Sequence, residues 1–415
     1  MLPRGPVALL AGASAVLVIL LVVALVLLVS SSGGGGGDAI RELEVQRSLS
    51  DAPDGQPKEA WRFRAEEGSV FNVGDLLFAA EFEEGAGRLN RLNPGTGQRL
   101  WQANLDVTPA VGVDVGGTLV VSGGGAGGAG EGTTTYGLDP KTGQQRWRVD
   151  GFLRVVGLRH VIVVDEGSIS VVDARSGATK VRTSEDDLTS AALSADDTTV
   201  YVGSDRSVAA RKLDGSVRWT VSARARQIVV VGDLVVIAED DGGRVRIRGL
   251  SARDGKERWS QSADSAARIS STFDGRLLSI SERRAEVLDP AKGTSIGSIA
   301  SRASEGVVQR AGAKELFVGR RARSSGPGSQ GDVEVVDLAE PGNLAWSASG
   351  SGCVDGARGV VIVGDTSRDA GRVTAYRAGD GRRLWEVTVR DGGFDCAVAA
   401  GTLAVAADGD VVGFR

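Results

Sequence analysis

Histidine occurs once in this chain, at His160, and cysteine twice, at Cys353 and Cys396. A single histidine excludes His-based triads and zinc sites built on several imidazoles. His160 precedes Val161-Ile162-Val163-Val164 at a turn and reads as a solvated surface residue. The two cysteines are far apart in sequence, so no vicinal pair exists, and neither lies near the N-terminus, which excludes a lipoprotein anchor. Past residue 60 no stretch carries a sustained helical period, which argues against helical layers. A net charge of −5 argues against a general nucleic-acid binder. Aromatic residues are scarce at 5 %, yet seven of them are tryptophan, so where tryptophan falls carries information.

Those tryptophans follow a rule. Six stand four residues after a turn glycine: Gly97/Trp101, Gly143/Trp147, Gly215/Trp219, Gly255/Trp259, Gly342/Trp346 and Gly381/Trp385. Two further glycines in the series, Gly177 and Gly293, are followed by Val181 and Gly297. The eight glycines lie 34 to 49 residues apart, the period of a repeat architecture. Each unit reads as short strands joined by turns rich in Asp, Asn, Pro and Gly, such as Leu138-Asp139-Pro140-Lys141-Thr142-Gly143. The second strand is apolar throughout, as in Thr118-Leu119-Val120-Val121 and Leu234-Val235-Val236-Ile237, and so predicts cover on both faces. Four antiparallel strands at this period describe the blade of a β-propeller.

The turn Leu-Asp-Pro-x-Thr-Gly followed by x-x-x-Trp resembles the PQQ-like repeat of quinoprotein dehydrogenases. It is also similar to the repeat of the propeller lipoprotein in the outer-membrane β-barrel assembly machine. The resemblance covers residues 58–415. It implies an all-β, PQQ-like β-propeller whose tryptophans (Trp61, Trp101, Trp147, Trp219, Trp259, Trp346 and Trp385) sit on outermost strands and pack against the next blade. WD and kelch repeats fit less well, since the Gly-His/Trp-Asp pairing and a Gly-Gly doublet per unit are both missing.

The C-terminus ends with three strands, up to 411–415, where a fourth bearing tryptophan is due. Glu59-Ala60-Trp61-Arg62-Phe63 supplies one from the other end of the chain. Pairing the two ends closes the ring and removes two open edges. Eight complete units and this composite one make nine blades by sequence count, against eight as the family norm.

Ahead of the propeller, residues 7–29 form an unbroken apolar run. As a helix it would be about 34 Å long, against a hydrocarbon core of about 30 Å. It predicts a transmembrane helix after a short cytoplasmic N-terminus, residues 1–6. Arg4 before the run and Asp38, Arg41, Glu42 and Glu44 after it favour the propeller outside the cytoplasm. A cleaved signal within residues 30–37 is the competing reading. Residues 30–57 read as a Gly/Ser-rich and polar linker.

Catalytic residues are not evident. Quinoprotein enzymes of this fold hold their cofactor in the central channel with a stacking Trp, adjacent cysteines and carboxylates around calcium. Here no tryptophan is left over and the cysteines are not adjacent, so neither a cofactor nor a resident metal is expected. The glycine run 123–130 lacks the following helix that a phosphate loop needs. Glu185-Asp186-Asp187 and Glu239-Asp240-Asp241 read as solvated turns. In 319–328 a basic loop with Arg320, Arg321 and Arg323 offers contact with an anionic partner, or is a tolerated insertion. Cys353 and Cys396 open the innermost strands of adjacent blades, where a disulfide could form outside the cytoplasm; two buried thiols are the alternative. The composite reading is a plasma-membrane, single-pass, extracytoplasmic propeller that binds or scaffolds a protein or a cell-envelope polymer. A quinoprotein-like oxidoreductase or a small-ligand sensor using the channel are the alternatives.

Overall fold

The described residues form nine four-stranded antiparallel sheets and no helix. The computed structural model describes residues 51–415 apart from 66–67, 84–85, 125–131, 166, 185–187, 265–266, 273–274, 282–283, 300–304, 312–313, 323–330, 351–353, 358, 366–369 and 391–394. The apolar run at 7–29 and its tether therefore lie outside the described residues. No helix among the described residues is long and apolar enough to cross a membrane.

In eight sheets the strands follow chain order from the inside outwards, as in blade one: Ser69–Val73, Leu76–Glu83, Ala86–Leu92 and Arg99–Leu105. The second strands are largely buried. Thr118–Gly124 in blade two has six consecutive buried residues, and Leu234–Asp241 in blade five likewise. This is the physical outcome of an apolar run with a neighbouring blade on each face. Nine hydrophobic clusters result, and each spans one interface between adjacent blades. Val120 and Trp147 of blade two meet Leu153 and Val163 of blade three in one of them. Leu278 and Val287 of blade six meet Phe317 and Val336 of blade seven in another.

The ninth sheet joins the first and the last of the described strands. Glu59–Arg64 pairs antiparallel with Asp410–Phe414, with Trp61 opposite Gly413 and Phe63 opposite Val411. Lys58 and Arg415 exchange backbone hydrogen bonds of 2.8 and 3.0 Å just outside that ladder. The count of nine from the sequence holds, and the family norm of eight does not apply here.

The propeller begins before residue 58. Pro53 and Pro57 are buried, Ala52 packs on the cluster between blades eight and nine, and the Asp51 carbonyl accepts from Gly401 N at 2.9 Å. The last seven residues of the stretch read as linker are thus part of the ring. Tryptophan geometry at that interface gives the reason, described below.

Ring closure is testable by truncation. A chain starting at residue 65 lacks the outermost strand of blade nine and should melt well below one starting at residue 51, measured by circular dichroism. Coincident melting curves would mean that the terminal strand contributes nothing to the ring.

Candidate functional site

Most repeat turns are tight loops closed by their glycine. In Asp139–Gly143, Gly143 N donates to the Asp139 carbonyl at 2.8 Å, and the Asp139 carboxylate accepts from Lys141 N at 2.8 Å. Asn93 takes the same role in blade one, accepting from Gly95 N at 2.8 Å. The glycine has φ of +73° at Gly143 and +72° at Gly255. That conformation alone favours glycine.

A second demand falls on the same residue. The indole of the preceding blade lies on it. A Cβ on Gly143 would stand 2.6 Å from Trp101, one on Gly255 2.8 Å from Trp219, and one on Gly293 2.3 Å from Trp259. The indole N–H then donates to a carbonyl of that same turn: Trp61 to Pro94 at 2.8 Å, Trp101 to Pro140 at 3.1 Å, Trp147 to Ala174 at 2.8 Å. Trp219 reaches Ala252 at 3.0 Å, Trp259 reaches Pro290 at 2.6 Å, and Trp346 reaches Ala378 at 2.9 Å. The glycine and tryptophan spaced four apart therefore serve different interfaces. The glycine receives the previous blade, and the tryptophan clasps the next.

Trp385 has no ordinary turn to clasp, because blade nine lacks its connection between third and fourth strands. Its N–H donates to the Pro53 carbonyl at 3.1 Å. The segment Asp51-Ala52-Pro53-Asp54-Gly55 is a substitute turn, with Gly55 at φ +75°. Its Asp-Gly pair was the available sequence signal, disguised because Gly55 stands six residues before Trp61 and not four.

Where tryptophan is missing, other groups act. Between blades six and seven, Arg276 Nη1 donates to Leu338 O at 2.6 Å, the carbonyl corresponding to Pro140. Pro341 fills the space beside Gly297, where an added Cβ would meet it at 2.5 Å. Between blades three and four, the buried Asp197 at φ +55° accepts from Arg159 N at 2.6 Å and His160 N at 3.0 Å. Gly157 gives it room: a Cβ there would stand 2.1 Å from the carboxylate. This corrects the reading of His160, which is 7 % exposed, not solvated, with Nδ1 3.5 Å from Asp197 Oδ2. Burial follows from the inter-blade packing of that hairpin end.

The acidic stretch 239–241 also differs from the expected turn. It ends the strand Leu234–Asp241, where Glu239 pairs with Arg248 at 3.4 Å and Asp240 with Arg226 at 3.0 Å. Residues 185–187 lie outside the described residues. Arg320 and Arg321 belong to the strand Lys314–Ala322, opposite Val333 and Asp332, so the proposed loop begins later than read; Arg323 lies outside the described residues. Cys396 is buried on Asp395–Ala399 opposite Val405 and is disulfide-bonded. Cys353 lies outside the described residues. Among the described residues no group of three or more His, Cys, Asp or Glu is placed to hold a metal ion.

One surface feature had no signal in the sequence. Of the six large apolar side chains exposed among the described residues, five stand on outermost strands: Leu100, Val217, Ile296, Leu344 and Leu384. Each precedes the tryptophan position by one or two residues. Ile296, Leu344 and Leu384 come from the outermost strands of consecutive blades. Among the described residues the outer edges of those strands have no partner strand.

Two outcomes test the clasp. Gly255→Ala and Gly215→Ala both force alanine to positive φ, +72° and +85°, but only Gly255 lies against an indole. Gly255→Ala should destabilise clearly more in urea denaturation, and equal losses would remove the indole from the account. Trp219→Ala should cost about 3–5 kcal/mol.

The turn carboxylates set a pH dependence. The hydrogen bond from Arg146, with those from Lys141 and Thr142 N–H, holds the Asp139 carboxyl below its usual range. A depressed folded value means stability that is present above the ordinary carboxylate range and lost as pH falls through the folded value. Asp139→Asn should keep the turn, as Asn93 does in blade one, and flatten part of the acid limb of the melting-temperature profile. An unchanged acid limb would remove Asp139 from it.

Comparison with known proteins follows the fold. The family model described as outer membrane protein assembly factor BamB matches residues 50–153, 85–180 and 165–310. Among solved structures, BamB from Moraxella catarrhalis is similar at 16 % identity and a TM-score of 0.49, covering 86 % of this chain and 97 % of that one. A eukaryotic initiation factor is similar at 12 % identity and a TM-score of 0.52, covering 83 % and 91 %. No curated protein matches the chain. With its repeats matched across most of the ring, the chain belongs to the PQQ-like propeller family of outer membrane protein assembly factor BamB.

Proposed function

We propose that this protein is a non-catalytic binding module, held at the membrane by residues 7–29 with its ring outside the cytoplasm, that docks a partner protein on its outer rim. The observation that carries the reading is the presence of exposed Ile296, Leu344 and Leu384 on the outermost strands of three consecutive blades, strands with no further partner among the described residues. Isolated exposed apolar residues need no explanation, but one on the outermost strand of each of three consecutive blades places apolar groups along one stretch of the rim. Open backbone groups beside it suit an extended partner segment that adds a strand. The family supports a scaffold role, since the matched model is described as an assembly factor. The apolar run of residues 7–29 and the charges around it support the membrane placement.

Site-specific photo-cross-linking in cells tests the rim. A cross-linker placed at Leu344 or Leu384 should capture a protein partner, and Leu384→Asp should abolish capture from Leu344 without lowering the melting temperature. Equal capture from the variant would move the docking surface elsewhere.

The disulfide belongs to the same reading. We propose that Cys396 pairs with Cys353 and ties blade eight to the composite blade beside the closure, which requires an oxidising compartment. Alkylation of the denatured protein, followed by intact mass, should label no thiol before reduction and two after it. Two labelled thiols before reduction would overturn both the bond and the extracytoplasmic placement.

A further inference from the structure

We propose that the central channel binds an oxyanionic group, a carboxylate or a phosphate, through Arg154. The inference begins with register. In four consecutive blades the innermost strand skips one residue against its neighbour: Ala110, Arg154, Thr189 and Arg226. A bulge turns the skipped side chain out of the regular alternation. Here that side chain belongs to the strand lining the axis, since these strands are first in their sheets and meet their counterparts around the ring.

The four bulge residues fare differently. Ala110 is exposed. Thr189 donates to the Ala225 carbonyl. Arg226 is satisfied twice, by Asp240 at 3.0 Å and by the Ala267 carbonyl at 2.8 Å. Arg154 has neither an ion pair nor a side-chain hydrogen bond among the described residues. Its one contact of note is the ring of Phe152, 5.9 Å from the guanidinium carbon. That contact occupies a face of the guanidinium and leaves its edge donors open. They are not sealed off, because none is among the buried side-chain atoms lacking a partner.

Burial disfavours the charge on Arg154 and lowers its value, with no opposing carboxylate among the described residues. The bulge residues on either side, Ala110 and Thr189, bring no negative charge, and Ser190 is used by Ile228 N at 3.0 Å. A half-buried cation without a counter-ion is costly unless an anion completes it. Guanidinium presents paired donors in a fork that matches two oxygens of a carboxylate or phosphate. The site stands apart from the outer rim, so it does not depend on the docking surface proposed there.

The whole chain in detergent is the material for the test, with tryptophan fluorescence reporting the melting temperature. Sodium citrate and sodium phosphate are titrated separately against sodium chloride at equal ionic strength. The wild type should show a saturable rise beyond chloride with at least one anion, and the anion with the tighter midpoint assigns the group. Arg154→Met keeps the stem without the charge and should show no rise beyond chloride; Arg154→Lys should shift the midpoint about tenfold or more to higher concentration. A rise in Arg154→Met equal to wild type, or no rise in wild type, overturns the proposal. If Arg154→Met does not fold, the Arg154 Nε–H resonance of wild type, assigned with Arg154→Lys, decides. It should move saturably with the anion, and a static resonance is the overturning result.

Discussion

The indole of one blade resting on the turn glycine of the next is the contact on which the ring depends. It joins backbone conformation, packing and hydrogen bonding at one place. The turn needs a positive φ at its last residue, and only a residue without Cβ leaves room for the indole. The indole N–H then satisfies a turn carbonyl at the edge of an otherwise apolar interface. A buried tryptophan with its N–H satisfied contributes apolar area without the cost of a stranded donor. Repetition makes the contact effective. Where both residues are present, a blade is held on one side by its glycine and on the other by its tryptophan, so rigidity passes around the ring one neighbour at a time.

The interfaces without tryptophan show which part of the contact is needed. Arg276 supplies a donor to the corresponding carbonyl, and Pro341 supplies bulk next to Gly297. Asp197 uses another route, accepting two backbone N–H groups of the neighbouring hairpin from a buried position. The carboxylate clasp is confined to one direction of approach, which explains the close space at Gly157. The interface requirement is thus polar satisfaction plus filled volume, and tryptophan meets both with one side chain.

The ring has its seam where the two termini meet, and several contacts converge there. The first strand completes blade nine, the Asp51–Pro57 segment receives Trp385, and the disulfide-bonded Cys396 lies on the innermost strand of the same blade. In contrast to this crowded seam, the outermost strands of blades six to eight carry exposed apolar side chains, and the Arg154 guanidinium lies beside the ring of Phe152. A rigid ring can hold such groups in fixed positions because its own stability does not use them.

By itself the sequence determined the repeat, the strand order within a blade, the apolar second strand, the nine blades and the pairing of Trp61 with the C-terminal strand. All of these follow from local periodicity and from the count of strands left unpaired at each end. It also located the tryptophans, but not their partners. Sequence spacing joins Gly255 to Trp259, whereas contact joins Gly255 to Trp219 and Trp259 to Gly293. Only tertiary structure decided which turn each indole covers, because that depends on blades meeting across the ring. It also decided that His160 is buried, that Arg276 replaces an indole, and that Pro53 stands in for a missing turn. Arg154 and the rim residues are the sharpest cases. A single arginine or leucine on a strand has no distinguishing local pattern, and its exposure and lack of a partner are properties of neighbouring blades, not of its own neighbours in sequence.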